Sequence, residues 1–399
     1  MTKVHYLNLL FLVLLIGVCA RAVFFTVAPP SNSYDDHLEA VIEHRSHDGG
    51  FERASPSACW QCYQPPLYYF LANRILYFAP HDASDLSIWK MVQSISFIAS
   101  CCSMLLCAAC LLLLLERYIS IETALLFSAL VATLPRLLFT SSMATNDALL
   151  EMWVSLTTFG YLLALVRPRW GSVGFLIAIT GTIAAAYTKQ SGLVMVVPLI
   201  ALASIRFFGA NPMQISPFLA FFGLLGAAIC SLDEYYRYSH TGILFASNQD
   251  FFTVSPAQPP GALSEVSFFS IRFVELLKMP FMGPETVSSF WTEIFGRLWF
   301  DYERRFFTIA PLSLSIGATI YLFALPVTIY VVASVLVTAG KVRQQLCVFV
   351  LALISAGYVA TPILQTIRLP FYSSMKAVFF TAGIIPFACL ASIGASRLN

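Results

Sequence analysis

Long apolar runs alternate with polar connections along almost the whole chain, near residues 6–28, 91–115, 121–139, 148–166, 171–187, 192–208, 214–232, 309–337, 345–364 and 375–395. Each holds about 17 residues or more, enough for a helix rising ~1.5 Å per residue to cross roughly 30 Å of hydrocarbon. The pattern predicts an all-α, polytopic membrane protein of about ten transmembrane helices. Two polar stretches, 29–90 and 233–305, are far longer than the other connections. Within the first, Leu38, Val41 and Ile42 recur at helical spacing with Asp, Glu and His between them, which predicts a short helix along the membrane interface. Pro65-Pro66 is suited to start a second short helix, because proline is tolerated in a first helical turn. Tyr68 and Tyr69 would then sit at headgroup level, as in an ordinary aromatic belt.

The first run also has features of a signal peptide, with Lys3 ahead of it and Ala20-Arg21-Ala22 loosely fitting a cleavage site. Val23 to Val27 continue the apolar run past that point and favour a retained span. With the N-terminus placed in the cytoplasm, the short inner connections carry Lys3, Arg117, Arg167, Arg169, Arg206, Lys341, Arg343 and Arg397 against only Glu116 and Glu122. That bias sets the orientation and puts both long loops outside.

Composition agrees: 58% hydrophobic and 11% charged residues exclude an ordinary soluble domain. A net charge of +2 offers no case for a nucleic-acid partner. With no internal repeat, low-complexity tract or flexible linker, residues 1–399 read as a single membrane domain. Cys101, Cys102, Cys107 and Cys110 lie in apolar runs and behave as small hydrophobes.

The chemistry-bearing residues collect on the outer side. Ser33-x-x-Asp36 has the form of a capping box, which gives Asp36 a structural explanation. Asp35 has a weaker one, a charge beside a helix N-terminus, and so calls more strongly for function. Taken alone, the pair is a solvated acidic face. The cations at outer span ends are Lys189, Arg368 and Lys376, with Arg304 and Arg305 closing the second loop. Charges so near hydrocarbon mark ligand sites, the alternative being side chains that snorkel to headgroups. Asp147 is placed to hold a cation, a metal or sugar hydroxyls; the alternative is that Asn146 or Asp147 caps the following span. Asp301 and Glu303 are expected to pair with Arg304 and Arg305. His44-x-x-His47 with Cys59-x-x-Cys62 has spacings compatible with zinc. On an oxidising face a Cys59–Cys62 disulfide is the first reading, with zinc or two free thiols as the alternatives.

The carboxylate pair after the first span, followed by Gln64-Pro65-Pro66-Leu67-Tyr68-Tyr69, resembles the GT-C glycosyltransferases of the protein O-mannosyltransferase and aminoarabinose-transferase type. Thr145-Asn146-Asp147-Ala148-Leu149, Thr188-Lys189-Gln190-Ser191-Gly192-Leu193 and Trp299-Phe300-Asp301-Tyr302-Glu303 are similar in order and side to segments of that family. The resemblance implies a bacterial inner-membrane enzyme that moves a sugar from a polyprenyl phosphate to a glycan, lipid or protein acceptor at the outer face. By the same resemblance the first carboxylate of the pair, Asp35, is the base. Asp-Asp stands here where many relatives have Asp-Glu, which leaves Asp35 against Asp36 open. Lys189, Arg368, Lys376, Arg304 and Arg305 are then expected at the donor phosphate, and Asp147, Gln64, Tyr68 and Tyr69 at the substrate. No cofactor is required and a divalent metal is left open. The alternatives are a transporter or flippase, which would carry its ionisable residues near the bilayer midplane, and a polymerase or ligase of lipid-linked glycans.

Overall fold

The structure, a computed structural model, describes residues 3–32, 34–35, 37–46, 54–79, 84–115, 117–208, 215–252, 269–282, 289–340, 345–368 and 376–398. Among them there is no strand. The helices are α1 (Lys3–Val27), α2 (His37–Ser46), α3 (Leu67–Tyr77), α4 (Asp85–Leu114), α5 (Ile121–Thr133), α6 (Pro135–Ser141), α7 (Asn146–Val166), α8 (Gly171–Thr188), α9 (Val196–Phe208), α10 (Pro217–Thr241), α11 (Asn248–Phe251), α12 (Phe273–Lys278), α13 (Phe290–Trp299), α14 (Pro311–Ala339), α15 (Leu346–Arg368), α16 (Val378–Thr381) and α17 (Ile384–Leu398).

This is an integral membrane protein. Among the described residues eight helices are long and apolar enough to cross a bilayer, or nine if the bent pair α5–α6 is one span. About ten were expected. The difference lies in the last run, which folds as the single turn α16 and the shorter apolar helix α17. Most of α17 is buried, so its apolar character serves packing inside the protein.

Local sequence explains the helix ends. Ser84, Ser120, Thr145 and Ser216 accept a backbone N–H from the first turns of α4, α5, α7 and α10, satisfying donors that a helix start leaves open. Between α5 and α6 the chain bends by 48° at Leu134-Pro135, since proline cannot continue the helical ladder. The carbonyls of the last turn of α5 then need other donors. Arg21, fully buried on α1, supplies one: its guanidinium donates to Ala132 O at 2.8 Å, Gly17 O at 3.0 Å and Ser100 Oγ at 2.9 Å. The pairing also sets a cation against the negative end of a helix dipole.

Helices α7 and α8 cross at glycines. A Cβ on Gly160 would lie 2.6 Å from the Gly174 carbonyl oxygen, and one on Gly174 would lie 2.6 Å from the Gly160 carbonyl oxygen. Small residues at such a crossing replace the hydrophobic drive that a lipid environment cannot give. At the other end of the helix pair Asn146 Nδ2 donates to Thr188 O at 3.3 Å, joining the C-terminal end of α8 to the N-terminal end of α7. Lys189 and Asp147 are thereby brought together. The long connections, with α2 and α3 in the first and α11 to α13 in the second, fold over this same end of the bundle.

Candidate active site

Asp35 follows α1 and lies just before α2. One of its carboxylate oxygens accepts from Lys376 Nζ at 2.9 Å, and the same ammonium donates to Tyr34 O at 3.2 Å. The pair is largely enclosed, with side chains 15% (Asp35) and 13% (Lys376) exposed. Burial opposes the charge on Asp35, but Lys376 first, then His37 and Lys189, outweigh it and hold the carboxyl at about 2. Tyr34 lies below the Arg136 guanidinium, 3.6 Å from its ring centre, a cation–π contact. Arg136 continues to Glu303 at 3.3 Å, and Glu303 also pairs with Arg297, whose Nε bonds Glu293 at 3.0 Å. These charges are almost wholly buried and pair with one another, while Arg136 Nε and Nη2 have no hydrogen-bond partner among the described residues.

A second ion pair stands in the same field. Lys189 Nζ meets Asp147 Oδ1 at 2.5 Å, and Thr145 Oγ1 donates to Asp147 Oδ2 at 2.8 Å. Here the exposures are only 6% and 3%. Tyr63 lies in the field of both pairs. Burial raises its phenol, and the negative charges of Asp35 and Asp147 raise it further. Gln64 Nε2 donates to the Tyr63 hydroxyl at 2.7 Å.

Beneath α2 and α3 the first loop has a polar spine. The Tyr69 hydroxyl lies 3.2 Å from Gln61 O and 3.0 Å from His37 Nδ1. His44 stacks on the Tyr69 ring at 4.7 Å and accepts from Ala54 N at 3.2 Å. Cys59 and Cys62 are joined by a disulfide on either side of Gln61. On the far flank Arg237 of α10 pairs with Asp233 at 3.1 Å and with Glu234, and donates to Tyr63 O at 3.1 Å.

Two cavities adjoin this cluster. One, of about 570 Å³, is lined by Tyr34, Asp35, Glu39, Glu43, Trp89 and Arg305, among others. The other, also about 570 Å³, is an apolar groove between α5, α13, α14 and α15 that includes Leu134, Phe290, Ile294, Leu336, Pro362 and Phe380. Leu336 is 67% exposed, so this groove opens sideways on the surface that faces lipid. Two of its lining residues, Phe290 and Ile294, pack on Ala377, the residue after Lys376.

Several sequence expectations change here. Tyr68 and Tyr69 are not in an aromatic belt: both are buried in the first-loop core. Glu303 takes Arg136 and Arg297 rather than Arg304 or Arg305, which point outward. Asp301 accepts the backbone N–H groups of Arg305, Phe306 and Phe307 at 2.9, 2.6 and 2.7 Å, which tightens the turn after α13. The cap of α7 is Thr145, which frees Asp147 for Lys189. Arg368, 43% exposed, pairs with Asp250 at 3.2 Å and donates to Phe245 O at 2.9 Å, apart from the Asp35 cluster. Asp36, Ser33 and His47 lie outside the described residues. Sequence reasoning passed over Tyr63, His37, Arg136, Arg297 and Arg237. Of these only His37 carried a signal, its place beside the acidic pair.

No family model matches the chain and none of the curated proteins does. Its fold is similar to that of solved structures of the oligosaccharyltransferase AglB from Archaeoglobus fulgidus. One is tethered with an acceptor peptide containing the NVT sequon, with a TM-score of 0.54 and 12% identity over 98% of this chain and 49% of that one. Another, with an inhibitory peptide and a dolichol-phosphate, has a TM-score of 0.53 and 15% identity over 98% and 50%. A third, a complex with Zn and sulfate, has a TM-score of 0.52 and 14% identity over 95% and 48%. The chain spans about half the length of these proteins.

Proposed function

We propose that the protein transfers a sugar from a polyprenyl-phosphate donor to an acceptor hydroxyl or amine, in a bacterial inner membrane with the site on the outer face. The observation that carries this reading is the Asp35–Lys376 pair, in which Asp35 lines a polar cavity and Lys376 precedes Ala377, which packs on residues of an apolar groove open to lipid. A prenyl chain suits the groove and places its phosphate toward Lys376. The acceptor suits the cavity, where Trp89 offers an aromatic face and Glu39 and Glu43 offer hydrogen-bond acceptors. That AglB is solved with a dolichol-phosphate and with an acceptor peptide supports a lipid-phosphate and an acceptor ligand for this fold.

In this mechanism Asp35 takes the proton of the attacking group as its oxygen or nitrogen bonds the anomeric carbon. The bond from that carbon to the phosphate oxygen breaks, and the phosphate leaves with the electron pair. Lys376 and Lys189 stabilise the charge it gains. A divalent metal at the site stays an open part of this reading, and one AglB structure is a complex with Zn and sulfate. Cys59 and Cys62, bonded to each other, do not offer thiolates. The decisive experiment is transfer by purified protein from a polyprenyl-phosphate sugar, with mass analysis of envelope glycans and glycolipids from cells lacking the gene to identify sugar and acceptor. Lipid-linked glycan movement across the membrane without any transferred sugar would replace this reading with a flippase.

A further inference from the structure

We propose that Lys376 exchanges partners during the reaction: it is paired with the Asp35 carboxylate in the free protein and passes to the donor phosphate when the lipid binds, releasing Asp35 to accept the acceptor's proton. This rests on the reading of the site as a polyprenyl-phosphate sugar transferase.

Geometry distinguishes the two lysines. The Lys189–Asp147 pair is almost sealed, at 6% and 3% exposure, with Thr145 donating to Asp147 and Asn146 to Thr188 O beside it. The Lys376–Asp35 pair is more accessible, at 13% and 15%. Lys376 directly precedes Ala377, which sits on the groove-lining residues Phe290 and Ile294. A lipid in that groove therefore brings its phosphate to the ammonium already bonded to Asp35.

Chemistry supplies the second argument. A carboxylate that accepts a charge-assisted hydrogen bond from an ammonium is a weak proton acceptor, and a useful base titrates nearer the working pH. Asp35, held at about 2, is poorly suited while Lys376 stays in place. A phosphate competing for the ammonium removes that restraint. The other charges around Asp35 are His37 from α2, Lys189 from the end of α8, Arg305 from the loop before α14, and Glu39 and Glu43 from α2; Glu303 lies in the field of Lys376. Of these cations Lys189 also lies near the groove, over the Phe379 ring at 5.1 Å, but it is held by the more enclosed Asp147 pair.

The consequence is measurable with polyprenyl monophosphate, without any sugar, as the probe. If Asp35 competes with phosphate for Lys376, then Asp35→Asn should bind the probe tighter, by about tenfold for a charge-assisted pair. Lys376→Met should bind it at least about tenfold weaker, and Asp35→Asn/Lys376→Met should match Lys376→Met alone. Asp35→Ala is the second variant, and thermal unfolding verifies that each is folded. A residue with only a structural role, or only a role as base, gives no tightening. Wild-type binding with equal or weaker binding by Asp35→Asn and Asp35→Ala overturns the exchange and leaves the donor reading standing. No binding by the wild type overturns the donor reading and the exchange with it.

Discussion

Replacing Asp35 by Asn keeps the shape of the side chain and removes its charge, so the variant separates the base from the scaffold. Transfer should fall by about a hundredfold or more, the usual contribution of a positioned base, or roughly 3 kcal/mol on the barrier. Stability should change in a pH-dependent way whose sign follows from the pair with Lys376. The carboxyl is lowered from its ordinary value of 3.8 to about 2 in the folded protein. Its contribution is therefore fully present above about pH 4 and is lost as pH falls toward 2; integrated, it amounts to roughly 2 kcal/mol at neutral pH. The assay is turnover of a polyprenyl-phosphate sugar by purified wild type and variant, with thermal unfolding in detergent from pH 3 to 7. Wild type should lose stability more steeply than Asp35→Asn below about pH 4. Turnover by the variant within a few fold of wild type would refute the assignment of the base. Parallel stability curves would refute the ion-pair reasoning separately.

Three further predictions concern the rest of the site. Lys189→Met leaves Asp147 buried without its cation and should lower unfolding stability by about 3 to 5 kcal/mol, together with donor affinity; a variant as stable as wild type by thermal unfolding would contradict the pair. Native protein should be lighter by two hydrogens than reduced protein in intact-mass measurement, from the Cys59–Cys62 disulfide. Replacing both by Ser should cost roughly 2 kcal/mol for so short a loop, and unchanged mass and stability would count against the bond. A cysteine at Ser46 should react with a membrane-impermeant reagent in intact spheroplasts, and one at Arg167 only after permeabilisation; the opposite pattern would invert the orientation.

Most of the spans were legible because hydrocarbon imposes a length and a composition on any helix that crosses it. Where the reading slipped, another cause of apolar character was at work. Residues 375–395 are apolar because much of α17 is packed inside the protein, with Gly394 against the Ser334 backbone of α14. The bend at Leu134-Pro135 was visible as a proline, but its consequence, an arginine on α1 serving the open end of α5, depends on two helices meeting. Tyr68 and Tyr69 follow Pro65-Pro66 as an interfacial anchor would, and nothing local shows that His37 and His44 fold over them.

The ion pairs were the least legible part, and the reason is physical. A charged side chain in a loop takes the partner that tertiary packing presents, not the nearest one in sequence. Arg304 and Arg305 adjoin Glu303, yet Arg304 adopts a left-handed backbone conformation at φ 57° in a turn held by Asp301, and both arginines point outward. Glu303 faces inward to Arg136 and Arg297. Asp35 likewise meets a lysine 341 residues away. Burial then decides what each pair does. Breaking the sealed Asp147–Lys189 pair would strand a charge at a cost of several kcal/mol, so that pair fixes the ends of α7 and α8. Under the proposed transfer, the more accessible Asp35–Lys376 pair is the one whose lysine a donor phosphate takes over, while the Asp147–Lys189 pair stays joined.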